Sequence, residues 1–293
     1  MPFFFAPPES VFGQTSAPDG ATSAVHIDLN VDVGEAASPL DELVELALVD
    51  LVSSVNVACG AHAGDRGAMR RMVAVAAAHK LNIGAHPGYP DPAHLGRRPL
   101  TVPPGEVRLL VRDQVTTLAA VAADRGVGIT HVKPHGALYN QAAADRALAD
   151  AVASGVRDVD PRLRLVGLPR SALHGAATAL GLTFWAEAFV DRAYRADGSL
   201  VPRTEAGAVH ADAATAVAQA LSIVLSGFVI VDGTARVPVQ ADTLCLHADT
   251  PGAVAIARQL REALAAKGIG VGAGLSPRRR RSATAAPAPS RTL

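Results

Sequence analysis

Aromatic side chains are scarce, at 4% of 293 residues with a single Trp. A core of the size that this length permits must therefore be built mostly from Ala, Val and Leu, which dominate the 49% of hydrophobic residues. No excess of either charge exists: Lys plus Arg and Asp plus Glu number 27 each. That balance argues against the basic domain of a dedicated nucleic-acid binder. Only two cysteines occur, Cys59 and Cys245, far apart and inside apolar, strand-like runs; they read as buried free thiols. No apolar run reaches the roughly 20 residues that span a bilayer. Residues 1–8 lack both the basic region and the long apolar core of a secretory signal. The expectation is a cytoplasmic protein with no membrane or nucleic-acid partner.

What is present is a repeated alternation. Residues 1–24, rich in Pro, Ser, Gly and Ala, read as a disordered leader, and 276–293, with the basic run Arg278 to Arg281, as a disordered, solvated tail. Between them a single domain is expected over 25–275. Short strands are predicted at 25–33, 53–60, 81–85, around Lys133 after the apolar run 127–129, and at 163–167, 182–189 and 243–247. Helices are predicted at 39–51, 66–80 with Asp65 as N-cap, 105–125, 146–156, 171–180, 211–225 and 253–267. Asp232-Gly233 marks an inserted hairpin over 228–239, and Asp197-Gly198 a surface loop or short hairpin. Strand then helix, about seven times over, is the pattern of a parallel α/β fold with strands covered on both faces.

The polar residues decide between a barrel and an open sheet. Asp32 and Glu35, His62 and Asp65, His86 and Asp91, Lys133 and His135, Glu187 and Asp191, and His247 and Asp249 all fall at or just past strand C-terminal ends. A barrel gathers those ends on one rim, where its active site lies; a sheet would spread them. A barrel of seven strands is expected. Lys133 and His135, two apart, point the same way from an extended backbone, with Pro134 stiffening the exit and Gly136 turning the chain. An ammonium and an imidazole so placed suit an anionic substrate or a developing oxyanion. The blander reading is a salt-bridged lysine and a histidine capping the next helix. Asp32, His62 and His86 are the obvious ligands should the rim hold a divalent metal, although their spacing is not a short-range metal motif. Without metal, the same groups suit acid–base chemistry on a carbonyl. His26 and His79 receive no role.

Seven blocks together resemble the LamB/YcsF family: Asn30-Val-Asp-Val-Gly-Glu35, Asn56 to Asp65, Ile83-Gly-Ala-His-Pro-Gly-Tyr-Pro-Asp91, His131-Val-Lys-Pro-His-Gly-Ala-Leu-Tyr-Asn140, Glu187 to Tyr194, Leu200-Val-Pro-Arg203 and His247 to Ala253. They run in order from about Ile27 to Gly268, nearly the whole expected domain. The resemblance implies a (β/α)7 barrel akin to the glycoside hydrolase/deacetylase superfamily. It also implies the role of the A component of 5-oxoprolinase: ATP-dependent, Mg-assisted opening of 5-oxoproline (pyroglutamate) to L-glutamate. Two partner subunits, B and C, are implied with it, resembling the halves of an allophanate-hydrolase-like protein; self-association is compatible with this picture. Val31 stands where the family often has Cys, so a cysteine nucleophile there is excluded; Ala61, Gly88 and Ala248 replace the usual Phe, Ser and Gly.

A lactam is a poor electrophile, and phosphorylating its oxygen would make the carbon attackable by water. The catalytic set expected on this resemblance is Asp32, Glu35, Lys133, His135 and Glu187. Asp32 or Glu187 would activate water, and Lys133 with His135 would offset charge on the oxygen or phosphate. Arg192 or Arg203 would hold the substrate carboxylate, with Asn30, Asn56, Asp65, Asp191, His247 and Asp249 completing the pocket. There is no Gly-x-x-x-x-Gly-Lys-Ser/Thr loop, and the glycines of 268–274 follow a helix and read as a cap and linker. Two alternatives are a metal-dependent deacetylase or amidase that needs no ATP, and a non-catalytic scaffold that docks partners.

Overall fold

The computed structural model describes residues 25–210 and 212–272; the leader and tail expected from sequence lie outside them. In chain order the elements are β1 (His26–Val33), α1 (Pro39–Val49), β2 (Ser54–Ala58), α2 (Arg66–Ala78), β3 (Asn82–His86) and α3 (Pro104–Ala123). Then come β4 (His131–Val132), α4 (Gly136–Ala144), α5 (Arg146–Val159), β5 (Arg164–Gly167), α6 (Ala172–Ala179) and β6 (Phe184–Phe189). The chain finishes with α7 (Ala213–Ser226), the hairpin β7 (Phe228–Val231) and β8 (Ala235–Pro238), then β9 (Thr243–Cys245), α8 (Ala253–Ala266) and β10 (Gly270–Val271).

Strands β1 to β6 pair in sequence order, all parallel, and β9 pairs with both β6 and β1, closing a seven-stranded barrel. The period-two pattern of β1 shows how the layers form. Ile27, Leu29, Val31 and Val33 join the apolar core with residues of the surrounding helices, while Asp28, Asn30 and Asp32 turn inward and bond across the barrel. The helices are set by their caps. Ser38, Asp65, Asp145, Ser171 and Asp212 each accept a backbone N–H at a helix start, worth about 1 kcal/mol apiece. No helix of the described residues is long and apolar enough to cross a membrane.

Three local features depart from the sequence expectation. Strand β4 is only two residues long; beyond it the Lys133 and His135 N–H groups still reach the Ala85 and Pro87 carbonyls, and Pro134 between them has no N–H to donate on the other side. Helix α4 follows at once and was not expected: it starts from His135 and Gly136, without the Ser or Asp cap that starts α1, α2, α5, α6 and α7. Strand β10 adds beside the first residues of β1 and carries no turn or length signal of its own.

The barrel interior also departs from the layers of Val, Ile and Leu common in such folds. Asp28 accepts from Ser53 and Ser54 at 2.7 and 2.5 Å and from Thr243 at 2.5 Å. Asn30 donates to Thr243 and Glu187 at 2.7 and 3.1 Å. Asn56 donates to Asn30 and Asp32, both at 2.8 Å, and accepts from His131 Nε2 at 2.9 Å. Burial, helped by the nearby Lys133 charge, pushes His131 down to about 3 and keeps it neutral. Gly84 makes room for this ring: a Cβ there would overlap His131 Nε2. Trp185 of β6 is an apolar exception in this interior, its ring beside that of His131.

Candidate active site

A cavity of about 990 Å³ opens at the C-terminal ends of the strands. At its floor stands Lys133, 3% exposed. Its ammonium lies 3.0 Å from Asp32 Oδ1, 3.0 Å from Glu187 Oε1, 3.3 Å from Asn30 Oδ1 and 3.1 Å from Cys245 Sγ. Burial works against its charge, but the carboxylates of Asp32 and Glu187 outweigh that and hold it well above the usual lysine range. Asp32 is the converse case: burial disfavours its carboxylate, yet His86 and Lys133 keep it well below the usual range. Burial drives Cys245 well upward, so it stays a thiol. The result is a permanent cation held on two carboxylates, its charge placed at the floor of the cavity.

Beside it, three imidazoles converge on one carboxylate. Glu35 Oε1 lies 2.8 Å from His62 Nε2, 3.0 Å from His135 Nδ1 and 3.6 Å from His86 Nε2. His86 Nε2 also lies 3.3 Å from Asp32 Oδ2, joining this cluster to the lysine cage. Burial opposes charge on Glu35, but His135 and its neighbours hold the carboxylate well below its usual range. Burial pushes His62 down to about 4. The Glu35 loop is itself pinned, because Glu45 of α1 accepts the N–H groups of Gly34 and Glu35 at 2.8 and 2.9 Å. His135 occupies the cap position of α4 but its ring makes no capping bond; it donates to the Leu95 carbonyl instead.

The opposite wall is held by Asp191 and Asp249. Asp191 receives His247 Nδ1 at 3.0 Å and the Thr250 hydroxyl; burial opposes its charge, but His247 and Thr250 bring it down to about 2. Asp249 bridges Arg97 at 2.6 Å and Arg203 at 3.2 Å. Arg192 donates to the carbonyls of Ala208 and Val201, so much of its guanidinium is spent on the loop. Arg203 differs: its Nη2 is buried without a hydrogen-bond partner among the described residues, and the residue lines the cavity.

Of the residues singled out from sequence, Asp32, Glu35, His86, Lys133, His135, Arg192, Arg203, His247 and Asp249 line the cavity. Asn30, Asn56, His62, Glu187 and Asp191 are buried behind its lining, where they hold the lining residues. Asp65 is not brought to it: its carboxylate caps α2 at 2.7 Å from the Ala68 N–H and borders a separate, smaller cavity. Asp32 is grouped with Cys245 and His247, whereas His62 and His86 share the Glu35 and His135 set. Sequence reasoning passed over Asp28, Glu45, His131, Cys245 and Arg97. Alternation along β1 and the two-residue spacing of His131 from Lys133 were signals for two of them; Glu45 and Arg97 carried none.

The profile of the LamB/YcsF family matches residues 27–277. A Bordetella parapertussis protein, named as the A component of 5-oxoprolinase, is 48% identical over 243 residues, 83% of this chain and 96% of that one. A protein of the same name from Methylococcus capsulatus is 48% identical over 244 residues, 83% of this chain and 94% of that one. Among solved structures, the lactam utilization protein of Thermus thermophilus superposes with a TM-score of 0.78 at 41% identity, covering 85% of this chain and all of its own. An uncharacterized Agrobacterium tumefaciens protein, at 16% identity and a TM-score of 0.52 over 87% of this chain and 89% of its own, shares the fold alone. With a match along nearly all of the barrel and with relatives at this identity, the chain belongs to the LamB/YcsF family.

Proposed function

We propose that the chain is the A component of an ATP-dependent 5-oxoprolinase, opening 5-oxoproline to L-glutamate with partner subunits B and C. The observation that carries this is the pairing of a buried, caged Lys133 on the cavity floor with the unpartnered Arg203 Nη2 in its wall. 5-Oxoproline offers a lactam oxygen to the first and a carboxylate to the second. The names of the relatives support the same substrate class. The cavity, at about 990 Å³, exceeds the volume of this small lactam and leaves room for a phosphoryl donor or a partner's segment.

In the reaction, the lactam oxygen takes the γ-phosphoryl of Mg-bound ATP, releasing ADP. Water adds to the activated carbon, the C–N bond breaks, and the nitrogen leaves as the amine after gaining a proton. The remaining acyl phosphate is hydrolysed to glutamate and phosphate. Lys133 offsets charge on the oxygen and phosphoryl group. Asp32 orients the water, a role that fits it better than Glu187 because Asp32 lines the cavity and Glu187 does not. Glutamate release from 5-oxoproline, with and without ATP and with and without subunits B and C, tests this reading. Release that needs ATP and all three chains is expected. No glutamate under any condition would overturn it, and full activity with Asp32→Ala would reduce the barrel to a scaffold.

A further inference from the structure

We propose that Glu35, His62, His86 and His135 form a binding site for one divalent transition-metal ion, with zinc the first choice by donor type. This assignment is independent of the substrate reading. It rests on where the ring protons must lie. His86 Nδ1 is 2.7 Å from the Lys133 carbonyl oxygen, and His135 Nε2 is 2.7 Å from the Leu95 carbonyl oxygen. A carbonyl only accepts, so each of those nitrogens carries a proton and the other nitrogen of each ring is the one that can bind a metal. Those two nitrogens face each other at 3.0 Å. Glu35 Oε1 adds a third lone pair, 3.0 Å from His135 Nδ1 and 3.6 Å from His86 Nε2.

Three lone pairs held that close repel unless something positive lies among them. A proton on His135 Nδ1 would be shared between two of the three contacts and leave the third, between His86 and Glu35, unserved; a cation at their centre serves all three. His62 Nε2, 2.8 Å from the same carboxylate oxygen, supplies a fourth donor. All four ligand atoms lie within 4.8 Å of one another. Tetrahedral zinc, with bonds of about 2.0–2.1 Å, separates its donors by about 3.3 Å, so only small movements are needed.

The surroundings are those of a metal site. Imidazole ligands commonly donate their second N–H to a backbone carbonyl, which fixes ring orientation, and two of the three do so here. One of those carbonyls belongs to Leu95, held at φ +50, a left-handed conformation that is strained for a non-glycine residue. The rings of His62 and His135 stack at 3.8 Å with an interplanar angle of 2°, and all three histidines are buried. Three imidazoles and a carboxylate suit zinc, cobalt or nickel rather than magnesium or calcium. The set also differs from the one expected from sequence: Glu35 and His135 replace Asp32, whose Oδ1 is already 3.0 Å from Lys133 and 2.8 Å from Asn56 Nδ2.

The test uses the full chain, stripped with a chelator and titrated with Co²⁺ alone, reading the visible d–d bands. One equivalent is expected to give the intense bands of a four-coordinate site, and Zn²⁺ is expected to displace it and raise the melting midpoint. Glu35→Gln and His86→Ala, checked for folding by circular dichroism, are expected to weaken Co²⁺ binding by roughly 100-fold or more. The absence of a cobalt spectrum and of a zinc-induced midpoint shift in folded wild-type chain would overturn the proposal. So would a thiolate-to-cobalt charge-transfer band, which would place the ion at Cys245 with Asp32 and His247 instead.

Discussion

Two polar assemblies are stacked inside one barrel, and they finish their hydrogen bonds differently. In the lower one, around Asp28, the carboxylate is met by Ser53, Ser54 and Thr243, and Asn30, Asn56 and His131 pass bonds from strand to strand. In the upper one, lone pairs of Glu35, His86 and His135 face each other, His62 Nδ1 has no partner among the described residues, and Arg203 Nη2 has none either. A buried polar group left unpaired costs about 1–3 kcal/mol. A network that closes on itself serves the fold, and the one that stays open is where the proposed substrate and metal ion would bind. Lys133 belongs to both: it hangs from Asn30 below and reaches the cavity above.

That contrast can be broken most forcefully at Lys133. Lys133→Met strands the Asp32 and Glu187 carboxylates and removes the cation from the floor. Glutamate formation by the reconstituted complex is expected to fall by about 1,000-fold, and removing one partner of the buried pairs costs about 3–5 kcal/mol of stability in urea unfolding. Near-normal turnover would end the assignment of Lys133 to the chemistry.

Asp28 sharpens the lower half through pH. Burial raises its carboxyl from 3.8 to about 6, despite the lowering effect of its hydroxyl partners. The folded chain thus holds this proton more tightly than the unfolded one. The associated stability is fully present below about pH 4 and is lost as pH rises through about 6, a loss of about 3 kcal/mol. Asp28→Asn is expected to flatten the unfolding free energy across that window. An unchanged slope would mean the lower network does not desolvate its carboxylate.

Gly84→Ala tests how tightly that network is packed. The added methyl overlaps the His131 ring, and overpacking of this kind costs about 1–3 kcal/mol, read as a lower denaturation midpoint. No change would show that the interior yields. Smallest in stability, and confined to the open assembly, is Arg203→Ala. Loss of one charge-assisted bond is expected to raise KM for 5-oxoproline by about 10- to 100-fold with a smaller effect on kcat. Equal losses in both would make Arg203 a group that acts in the transition state rather than a carboxylate anchor.

Much of this arrangement was legible beforehand. The strand–helix alternation, the inserted hairpin, the closed barrel and nine of the residues that line the cavity all follow from local patterns. A strand exit is marked by where apolar runs stop, and a barrel has one rim for all its exits. Glu45 and Arg97 were not legible, because each acts on a loop distant in the chain and neither sits in a repeating slot. Asp65 carried two readings, and of these the helix cap holds and the pocket role does not: it sits at a strand exit, but its loop turns it back onto the Ala68 N–H.

By itself, then, the order of residues determined the seven strands of the barrel, their alternating faces and much of the set of groups that reach the rim, since each depends on short-range periodicity. Only the tertiary structure decided which of those groups touch. Closure of β9 onto β1 brings Cys245 to Lys133, and the left-handed Leu95 turns a carbonyl onto His135. Contacts of this kind between residues far apart in sequence are fixed by packing rather than by local pattern, and at that scale a rim of polar residues separates into a closed network and an open one.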